Sequence, residues 1–202
     1  MPQPPRIFVE PNSYYHIFNR GVNRRTIFKD NGDFQRFLTL VSKYLTPVGY
    51  LLSYALMPDH FHLTVLMKPA VEIHPKFLKD DRALGRTFGH LQNAYANYFN
   101  HKYETVSGLF EANFERKKIE SLQYLRQLIV YHHLNPEKHG VELNFKHYFW
   151  TSFQEFANPM VKCNIAKDLA LSKFDSIEAF FAAHGTDVPA PMAEYEFEHP
   201  PT

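Results

Sequence analysis

The sequence predicts an α+β fold: a ferredoxin-like antiparallel sheet of order β-α-β-β-α-β, an additional helix that carries a tyrosine, and a C-terminal extension. Two observations predict it. Short runs rich in aromatic and β-branched residues alternate with longer runs of helical periodicity, and a Pro-Asp dipeptide at 58–59 joins two apolar runs as a tight turn. We expect residues 1–12 to form an N-terminal arm, residues 13–158 one domain, and residues 159–202 a partly helical extension with a flexible end.

The first half of the domain contains three predicted strands and one helix. The first strand is aromatic and β-branched and stops at Gly21. The helix has apolar residues at helical spacing, and Asn31 or Asp33 is available as its N-terminal cap. The next two strands form a hairpin, because only the Pro-Asp turn separates them. The predicted elements are a strand at 13–20, a helix at 33–45, and strands at 48–57 and 60–67.

The second half adds a long helix, a fourth strand and a third helix. Pro136 disfavours helical backbone in the residue before it, so we expect the third helix to end at Asn135. This helix has no place in the six-element unit and should cover the sheet face that carries His60 and His62. An aromatic stretch at 147–150 should pack back on the core. The predicted elements are a helix at 83–98, a strand at 109–119, a helix at 121–135 and a short helix at 174–183.

The bulk composition excludes some classes of protein. A single cysteine, Cys163, rules out an internal disulfide framework and a cysteine-rich zinc module. No apolar run approaches membrane-spanning length and the start lacks the features of a signal peptide, so we expect a cytoplasmic protein. Residues 1–140 hold 18 Lys and Arg against 12 Asp and Glu, whereas residues 141–202 hold 4 against 9. The basic body is compatible with a polyanionic partner, although by itself it fits ordinary surface charge better.

Two histidines separated by one apolar residue form the most informative motif. Successive side chains of a strand point to opposite faces, so His60 and His62 lie on the same face and can share one metal ion. Phe61 and Leu63 then form the opposite, buried face. A His-x-His pair alone is more often incidental than metal-binding, and Zn²⁺ or Fe²⁺ would also suit such ligands. The motif predicts a metal site that needs a third ligand.

The third helix supplies a candidate nucleophile and a candidate ligand. Tyr131 and Asn135 are four residues apart and therefore lie on the same helical face. A tyrosine hydroxyl beside an ion held by two imidazoles and an amide oxygen can attack a phosphodiester and retain the phosphate covalently. Such chemistry gives strand transfer rather than simple cutting. Tyr124, two turns earlier, is a rival nucleophile, and Asn135 is alternatively only a helix-end residue.

On four motifs the chain resembles the single-tyrosine His-hydrophobic-His transposases of the IS200/IS605 type, particularly the branch of REP-associated tyrosine transposases. The motifs are YHIFNRG at 15–21, ALMPDHFHL at 55–63, SGLF at 107–110 and YHHLNP at 131–136. The second and fourth motifs are highly specific together, although neither is decisive alone. The resemblance covers about residues 13–143, judged by the order and spacing of the motifs.

This resemblance implies a ferredoxin-like nuclease that cuts and rejoins single-stranded DNA, usually folded as a hairpin, with Mg²⁺ or Mn²⁺ as the ion. His60 and His62 match the metal ligands of the family. Asn135 matches the third ligand of this branch, and Tyr131 matches the nucleophile. The implied products are a 5′-phosphotyrosine and a free 3′-hydroxyl. Such a protein would associate with the nucleoid when bound to DNA. A homodimer is compatible with the sequence.

The chain departs from the pattern of the family at a few positions. Asp59 stands where asparagine is more usual, and Glu137 and Lys138 stand where a Val-Arg or Val-Lys pair is common. The residues beyond 150 match nothing in the family. These departures bear on substrate specificity rather than on the chemistry. By its position, Asp59 either orients a histidine or only shapes the turn.

Two groups of basic residues are candidates for phosphate contacts, since backbone contacts dominate the affinity for nucleic acids. A solvated charged surface explains them nearly as well. His132 and His133 flank the site, and we interpret one as a packing residue and the other as a DNA contact. The basic candidates are Arg20, Arg24, Arg25, Arg116, Lys117 and Lys118.

Two other functions fit parts of the sequence. A ferredoxin-like sheet also serves as a non-catalytic nucleic-acid-binding module, and binding would then not need His60 or Tyr131. A two-histidine phosphoesterase needs two His-x-Thr motifs, and the chain offers HLT at 62–64 and HGT at 184–186. The second motif lies in a glycine-broken tail, which makes the phosphoesterase the weakest alternative.

Overall fold

The chain folds as a four-stranded antiparallel sheet with helices on both faces, which confirms the predicted α+β, ferredoxin-like fold. A computed structural model describes residues 8–106, 108–111 and 114–185. The strand order is β2-β3-β1-β4, and all neighbouring strands are antiparallel. The elements of this unit are β1 (Tyr14–Arg20), α1 (Asn31–Leu45), β2 (Gly49–Met57), β3 (His60–Met67), α2 (Ala83–Tyr103), β4 (Glu115–Ile119) and α3 (Leu122–Lys138).

Helices α1 and α2 cover one face of the sheet. Phe61 of β3 is fully buried there, with its ring 4.7 Å from that of Phe37 on α1. Asn19 of β1 donates a hydrogen bond of 2.7 Å to Gln92 of α2 on the same side. This face therefore holds the larger part of the apolar core, as the alternation along the predicted hairpin requires.

Helix α1 begins at Asn31, so neither predicted cap is correct: the start is one residue earlier than a cap at Asn31 would give and three earlier than a cap at Asp33 would give. Its N-cap is Asp30, which accepts the Asp33 amide, while the Asp33 side chain accepts the Asp30 amide in a reciprocal capping box. Asp33 is fully buried and also accepts from Tyr103 at 2.8 Å and from Lys102 at 2.7 Å. Burial raises the pKa of this carboxyl, but the hydrogen bond from Lys102 and the others it accepts lower it further, so its net pKa lies below the usual value.

Replacing Asp33 with alanine should destabilise the fold by about 2–4 kcal/mol, because the variant loses half of the capping box and leaves several partly buried donors without their acceptor. Urea unfolding of both proteins at pH 7 measures the difference. The matched control is Asp80→Ala, which breaks an exposed bidentate pair with Arg86 (2.9 and 2.7 Å) and should destabilise the fold far less. Equal losses in the two variants would contradict this account of α1.

In the second half of the domain, the predicted end of helix α2 and the predicted extent of the fourth strand are wrong. Helix α2 runs five residues past the predicted end, because Phe99 is fully buried and Tyr103 packs on it at 4.6 Å between ring centroids. Among the described residues of the predicted strand at 109–119, those from Glu115 to Ile119 form the strand, and Phe110 forms a single bridge with Gly21.

Helix α3 covers the opposite face of the sheet, as predicted. His132 of α3 faces the sheet, with its Nδ1 3.0 Å from Ser53 Oγ on β2. The helix does not end at Asn135 but continues through Pro136 to Lys138. A proline removes only one backbone donor, and here it lies in the last turn, where the His139 amide still donates to the Asn135 carbonyl at 3.0 Å.

Residues 150–166, from the end of the predicted domain to the start of the C-terminal extension, close the outer edge of β2. Trp150 stacks on Phe34 with ring centroids 4.6 Å apart, which confirms that the aromatic stretch packs back on the core. Thr151 pairs with Ala55, and the Ala166 amide donates to the β2 backbone at 2.8 Å. Three short helices follow, and the predicted helix at 174–183 is regular over its last seven residues. They are α4 (Phe153–Ala157), α5 (Lys167–Leu171) and α6 (Ile177–Ala183).

The extension shares the main core, since Phe180 of α6 is fully buried in it. The predicted arm up to residue 7 and the predicted flexible end from residue 186 lie outside the described residues. Among the described residues, no helix has the length and apolar character that a membrane crossing requires.

Candidate functional site

The paired histidines and the end of α3 meet on the face of the sheet that α3 covers. His60 and His62 share this face of β3, with ring centroids 5.0 Å apart and planes at 81°. Asn135 of α3 brings its Oδ1 to 3.4 Å from His60 Nε2. His62 and Asn135 are fully buried, whereas 6% of His60 is exposed. The structure therefore brings the three residues predicted as metal ligands together.

The donors at this point fit a divalent ion. Two imidazoles and an amide oxygen suit several first-row and alkaline-earth ions, and hydrogen-bond distance is also the usual separation of ligand atoms around one ion. Asn135 Nδ2 is buried without a hydrogen-bond partner in the described part of the chain. Burial of this donor carries a free-energy cost, whereas the amide oxygen Oδ1 faces His60 Nε2, where an ion would be bound. The residues fit the metal that the family would use.

Asp59 contacts the first histidine directly. Its Oδ1 lies 2.7 Å from His60 Nδ1, so this carboxylate accepts the Nδ1 proton and leaves His60 Nε2 facing Asn135. Burial raises the pKa of Asp59, but the hydrogen bond and charge of His60 lower it below the usual value. The structure thus favours the interpretation of Asp59 as an orienting residue over a purely turn-forming one.

Two further histidines lie at the site and were missed by the sequence analysis. The ring of His139 lies 5.1 Å from that of His60. His139 is four residues after Asn135, so helical spacing would have found it. His16 of β1 brings its Nε2 to 3.0 Å from His62 Nδ1. Sequence contains no signal for this contact, because it depends on the register of two strands 46 residues apart.

His16, His62 and His132 form a buried triad that can hold a metal ion, since one nitrogen of each lies within 4.8 Å of the others. Burial lowers the pKa of His16 to about 3, with a smaller contribution from the charge of Lys117. Burial also lowers the pKa values of His62 and His132 well below the usual value. The three imidazoles are therefore neutral at pH 7, the form that binds metals.

Neither His132 nor His133 is placed to contact DNA, because both are fully buried, and the expectation that one of them does is wrong. His133 Nε2 lies 2.8 Å from Ser152 Oγ, and its Nδ1 lies 2.7 Å from His184 Nε2. His184 Nδ1 in turn lies 2.9 Å from the Phe180 carbonyl. This chain of hydrogen bonds joins α6 to the middle of α3.

The protein should lose stability as the pH is lowered, in part because of His184. Burial lowers the pKa of its imidazole to about 4, against about 6.5 in an unfolded chain. The unfolded state therefore binds this proton first, and His184 alone should lower the free energy of unfolding by about 1.4 kcal/mol per pH unit between roughly pH 6.5 and 4. The other buried histidines with lowered pKa values add slopes of the same sign. Urea unfolding between pH 7 and 4.5 measures the slope. His184→Gln should reduce the slope by about one proton, and an unchanged slope would contradict the assignment.

Tyr131 lies one turn before Asn135 on α3. Only 1% of it is exposed, and it belongs to a small apolar cluster with Phe145 and Phe153. Lys138 Nζ lies 5.4 Å from the centroid of its ring. Tyr124 is half-buried, and at 1.5 Å per residue it lies about 16 Å along the helix axis from Asn135, against about 6 Å for Tyr131. The position of Tyr131 suits the site better.

The basic candidates do not form one patch. Arg20 lies opposite His60 in the strand register, on the site face, and bonds Glu111 at 2.9 Å. Arg25 lies over Phe99 at 5.6 Å, in the loop after β1. Arg24 ends the short 3-10 turn of that loop. Alternation along β4 puts Lys117 on the site face and its neighbours on the other face. Those neighbours are Arg116, which lies over Phe114, and Lys118, which pairs with Glu10.

Solved structures resemble this fold. A REP-associated tyrosine transposase bound to a REP hairpin superposes with a TM-score of 0.57, at 16% sequence identity over 84% of this chain and 93% of that chain. A bacterial tRNA(His) guanylyltransferase-like protein in complex with GTP gives a TM-score of 0.40 at 11% identity, over 69% of this chain and 73% of that one, which is too low to support an argument. The first likeness supports the fold alone.

Comparison of sequences identifies the family. No curated protein matches the chain. The family model for the IS200-like transposases matches residues 10–110, which is half of the chain and includes β1, the hairpin of β2 and β3, and both histidines of the pair. Helix α3, with Tyr131 and Asn135, lies beyond the match. The chain belongs to the IS200-like transposase family.

Proposed function

We propose that this protein is a metal-dependent single-strand DNA endonuclease and strand transferase that acts on hairpin-forming DNA with Tyr131 as its nucleophile. The observation that carries this proposal is the meeting of His60, His62 and Asn135 at the end of α3, one turn from Tyr131. Membership of a transposase family supports DNA as the substrate. Residues 13–158 would form the catalytic unit, in the cytoplasm and on the nucleoid when bound to DNA.

His60 Nε2, His62 and Asn135 Oδ1 would hold Mg²⁺ or Mn²⁺. The bound ion would polarise the scissile phosphate and offset the charge that develops on it. Asp59 would hold His60 in the required tautomer through the 2.7 Å contact. These residues lie on two rigid elements, β3 and α3, so their geometry is largely preformed.

Tyr131 would carry out a transesterification. Its oxygen forms a bond to phosphorus while the bond from phosphorus to the 3′-oxygen breaks, so the phenol loses a proton and the 3′-oxygen gains one. The products are a 5′-phosphotyrosine and a free 3′-hydroxyl. Because the phosphodiester energy is retained, the 3′-hydroxyl of another DNA end can attack the phosphotyrosine and release Tyr131. That second step joins strands, as transposition and recombination require.

The burial of Tyr131 sets a condition on this mechanism. With 1% of the residue exposed, its hydroxyl must become accessible when DNA binds.

Basic residues near the site would hold the DNA. Arg20 lies beside His60 and the loop with Arg24 and Arg25 follows it, so these residues would hold the DNA backbone at this end of the sheet. Lys117 of β4 would contact the backbone on the site face, and Arg116 and Lys118, which lie on the other face of this edge strand, would contact backbone that passes around the edge.

The burial of Tyr131 favours one alternative function, a non-catalytic nucleic-acid-binding module. The test is to incubate the protein with a single-stranded DNA hairpin carrying flanking bases and with Mn²⁺, and then to look for a protein-DNA adduct that survives denaturation. We expect an adduct that forms only with the metal present. Tight hairpin binding without any adduct would contradict the proposal and support the binding module.

A further inference from the structure

The Nδ1 side of the His62 ring, which faces β1, contacts a second histidine. His62 Nδ1 lies 3.0 Å from His16 Nε2, and both residues are fully buried. The pair is set by the sheet, because β1 and β3 are antiparallel neighbours in which His16 lies opposite Thr64 and Phe18 lies opposite His62. The contact therefore forms wherever the sheet forms.

The chemistry of imidazole fixes the direction of this hydrogen bond once His62 is a ligand. A neutral imidazole carries one N–H and one lone pair, and a metal takes the lone pair. With Nδ1 facing His16, the ligand atom of His62 is Nε2. The proton then lies on Nδ1 and is donated to His16 Nε2. His16 must accept, which places the proton of His16 on its own Nδ1.

The His16 ring is held rigidly enough to serve this purpose. Phe18 stacks on it with ring centroids 4.3 Å apart and planes at 24°. The ring of His132 lies 5.1 Å away on α3, and His132 Nδ1 is itself 3.0 Å from Ser53 Oγ and 3.4 Å from Thr64 Oγ1. These contacts form a buried layer behind His62 that links β1, β2, β3 and α3.

We propose that His16 is a positioning residue for the metal ion: it accepts the Nδ1 proton of His62 and so fixes the tautomer and ring orientation in which His62 Nε2 faces the ion. The inference rests on the proposed function in taking His62 as a ligand. It gives the site two orienting acceptors, Asp59 for His60 and His16 for His62. Acceptors of this kind typically change metal affinity 10–100-fold.

The buried triad of His16, His62 and His132 is better explained by this role than by a second ion. The nitrogen of His62 that faces His16 cannot serve His16 and an ion at once. His132 Nδ1 is already within hydrogen-bond distance of Ser53. All three imidazoles are fully buried, whereas His60 retains a path to solvent.

The test is Mn²⁺ binding to the folded protein without DNA, measured by electron paramagnetic resonance of the free ion. Glutamine places an amide oxygen where histidine has Nε2, whereas asparagine reaches only as far as Nδ1. We expect His16→Leu and His16→Asn to raise the Kd about 10–100-fold and His16→Gln to restore most of the affinity. The control is Gln92→Leu, another buried polar change on the opposite face of the sheet, which should leave the Kd unchanged.

Three results would overturn the inference. Wild-type affinity in His16→Leu would remove the role, and equal losses in the leucine, asparagine and glutamine variants would assign the effect to packing. A loss in His132→Gln together with no loss in His60→Ala would place the ion in the buried triad instead.

The tautomer of His62 separates this inference from the proposed function. Nitrogen-15 spectra of the metal-free protein should show the His62 proton on Nδ1 in the wild type and in His16→Gln, and its loss from that position in His16→Leu. A proton on Nε2 in the wild type would overturn the inference. Absence of Mn²⁺ binding in the wild type would overturn the metal assignment, while the spectra would still decide the role of His16.

Discussion

Replacing Tyr131 with phenylalanine should abolish the covalent protein-DNA adduct while leaving hairpin binding intact. The substitution removes only the hydroxyl from a residue that is 1% exposed and shares an apolar cluster with Phe145 and Phe153, so the fold of α3 should persist. Loss of a nucleophile typically reduces turnover by three orders of magnitude or more. Denaturing gels of labelled hairpin DNA with Mn²⁺ measure the adduct, and native gels measure binding.

The matched control is Tyr124→Phe, because this tyrosine lies two turns earlier on the same helix and is the rival nucleophile. Tyr124 lies about 10 Å further from Asn135 along the helix axis than Tyr131 does, so the control should form the adduct at the wild-type level. The opposite pattern, with Tyr124→Phe inactive and Tyr131→Phe active, would transfer the role to Tyr124. Adduct formation at the wild-type level in both variants would exclude both tyrosines as the nucleophile.

Removing the metal or one of its ligands should have a comparable effect. Chelation, or the change His60→Ala or Asn135→Ala, deprives the phosphate of its Lewis acid, which supplies several kcal/mol of transition-state stabilisation. We expect the rate of adduct formation to fall by more than about 100-fold, since each 1.4 kcal/mol is a factor of ten. Single-turnover kinetics with Mn²⁺ measure this rate.

The control for the ligand variants is His90→Ala, an exposed histidine on α2, on the other face of the sheet. It should keep both the rate and the Mn²⁺ affinity. An adduct that forms at the wild-type rate in His60→Ala or in the presence of a chelator would contradict the metal assignment, whatever the result for Tyr131.

The parts of the fold with local signals could be predicted. The hairpin around residues 58–59 follows from period-two alternation and a turn, and helix α3 on the histidine face follows from the lack of any other place for it. Boundaries failed where tertiary contacts decided them. Buried Phe99 and the packing of Tyr103 extended α2, and the buried Asp33 moved the cap of α1 to Asp30.

The site divides in the same way. The pairing of His60 with His62, and of Tyr131 with Asn135, is a matter of spacing within one strand or one helix. The contact of His16 with His62 depends on strand register. Tyr131 is buried in a cluster that includes Phe145 and Phe153, which follow α3 along the chain. Neither the contact of His16 with His62 nor the burial of Tyr131 can be inferred from the neighbouring residues in the sequence. These distant contacts are also the ones that set ligand orientation and access to the nucleophile.

The most direct test of the central claim is to locate the nucleotide on the protein. After adduct formation with Mn²⁺, nuclease trimming and cleavage with trypsin, Tyr131 lies in the peptide 127–138, QLIVYHHLNPEK, and Tyr124 lies in the peptide 119–126, IESLQYLR. Each peptide contains a single tyrosine, so mass spectrometry assigns the site without ambiguity. We predict a nucleotide joined through a 5′-phosphate to Tyr131. A nucleotide on 119–126 or on any other peptide, or unmodified 127–138 in an adduct-forming protein, would contradict the account.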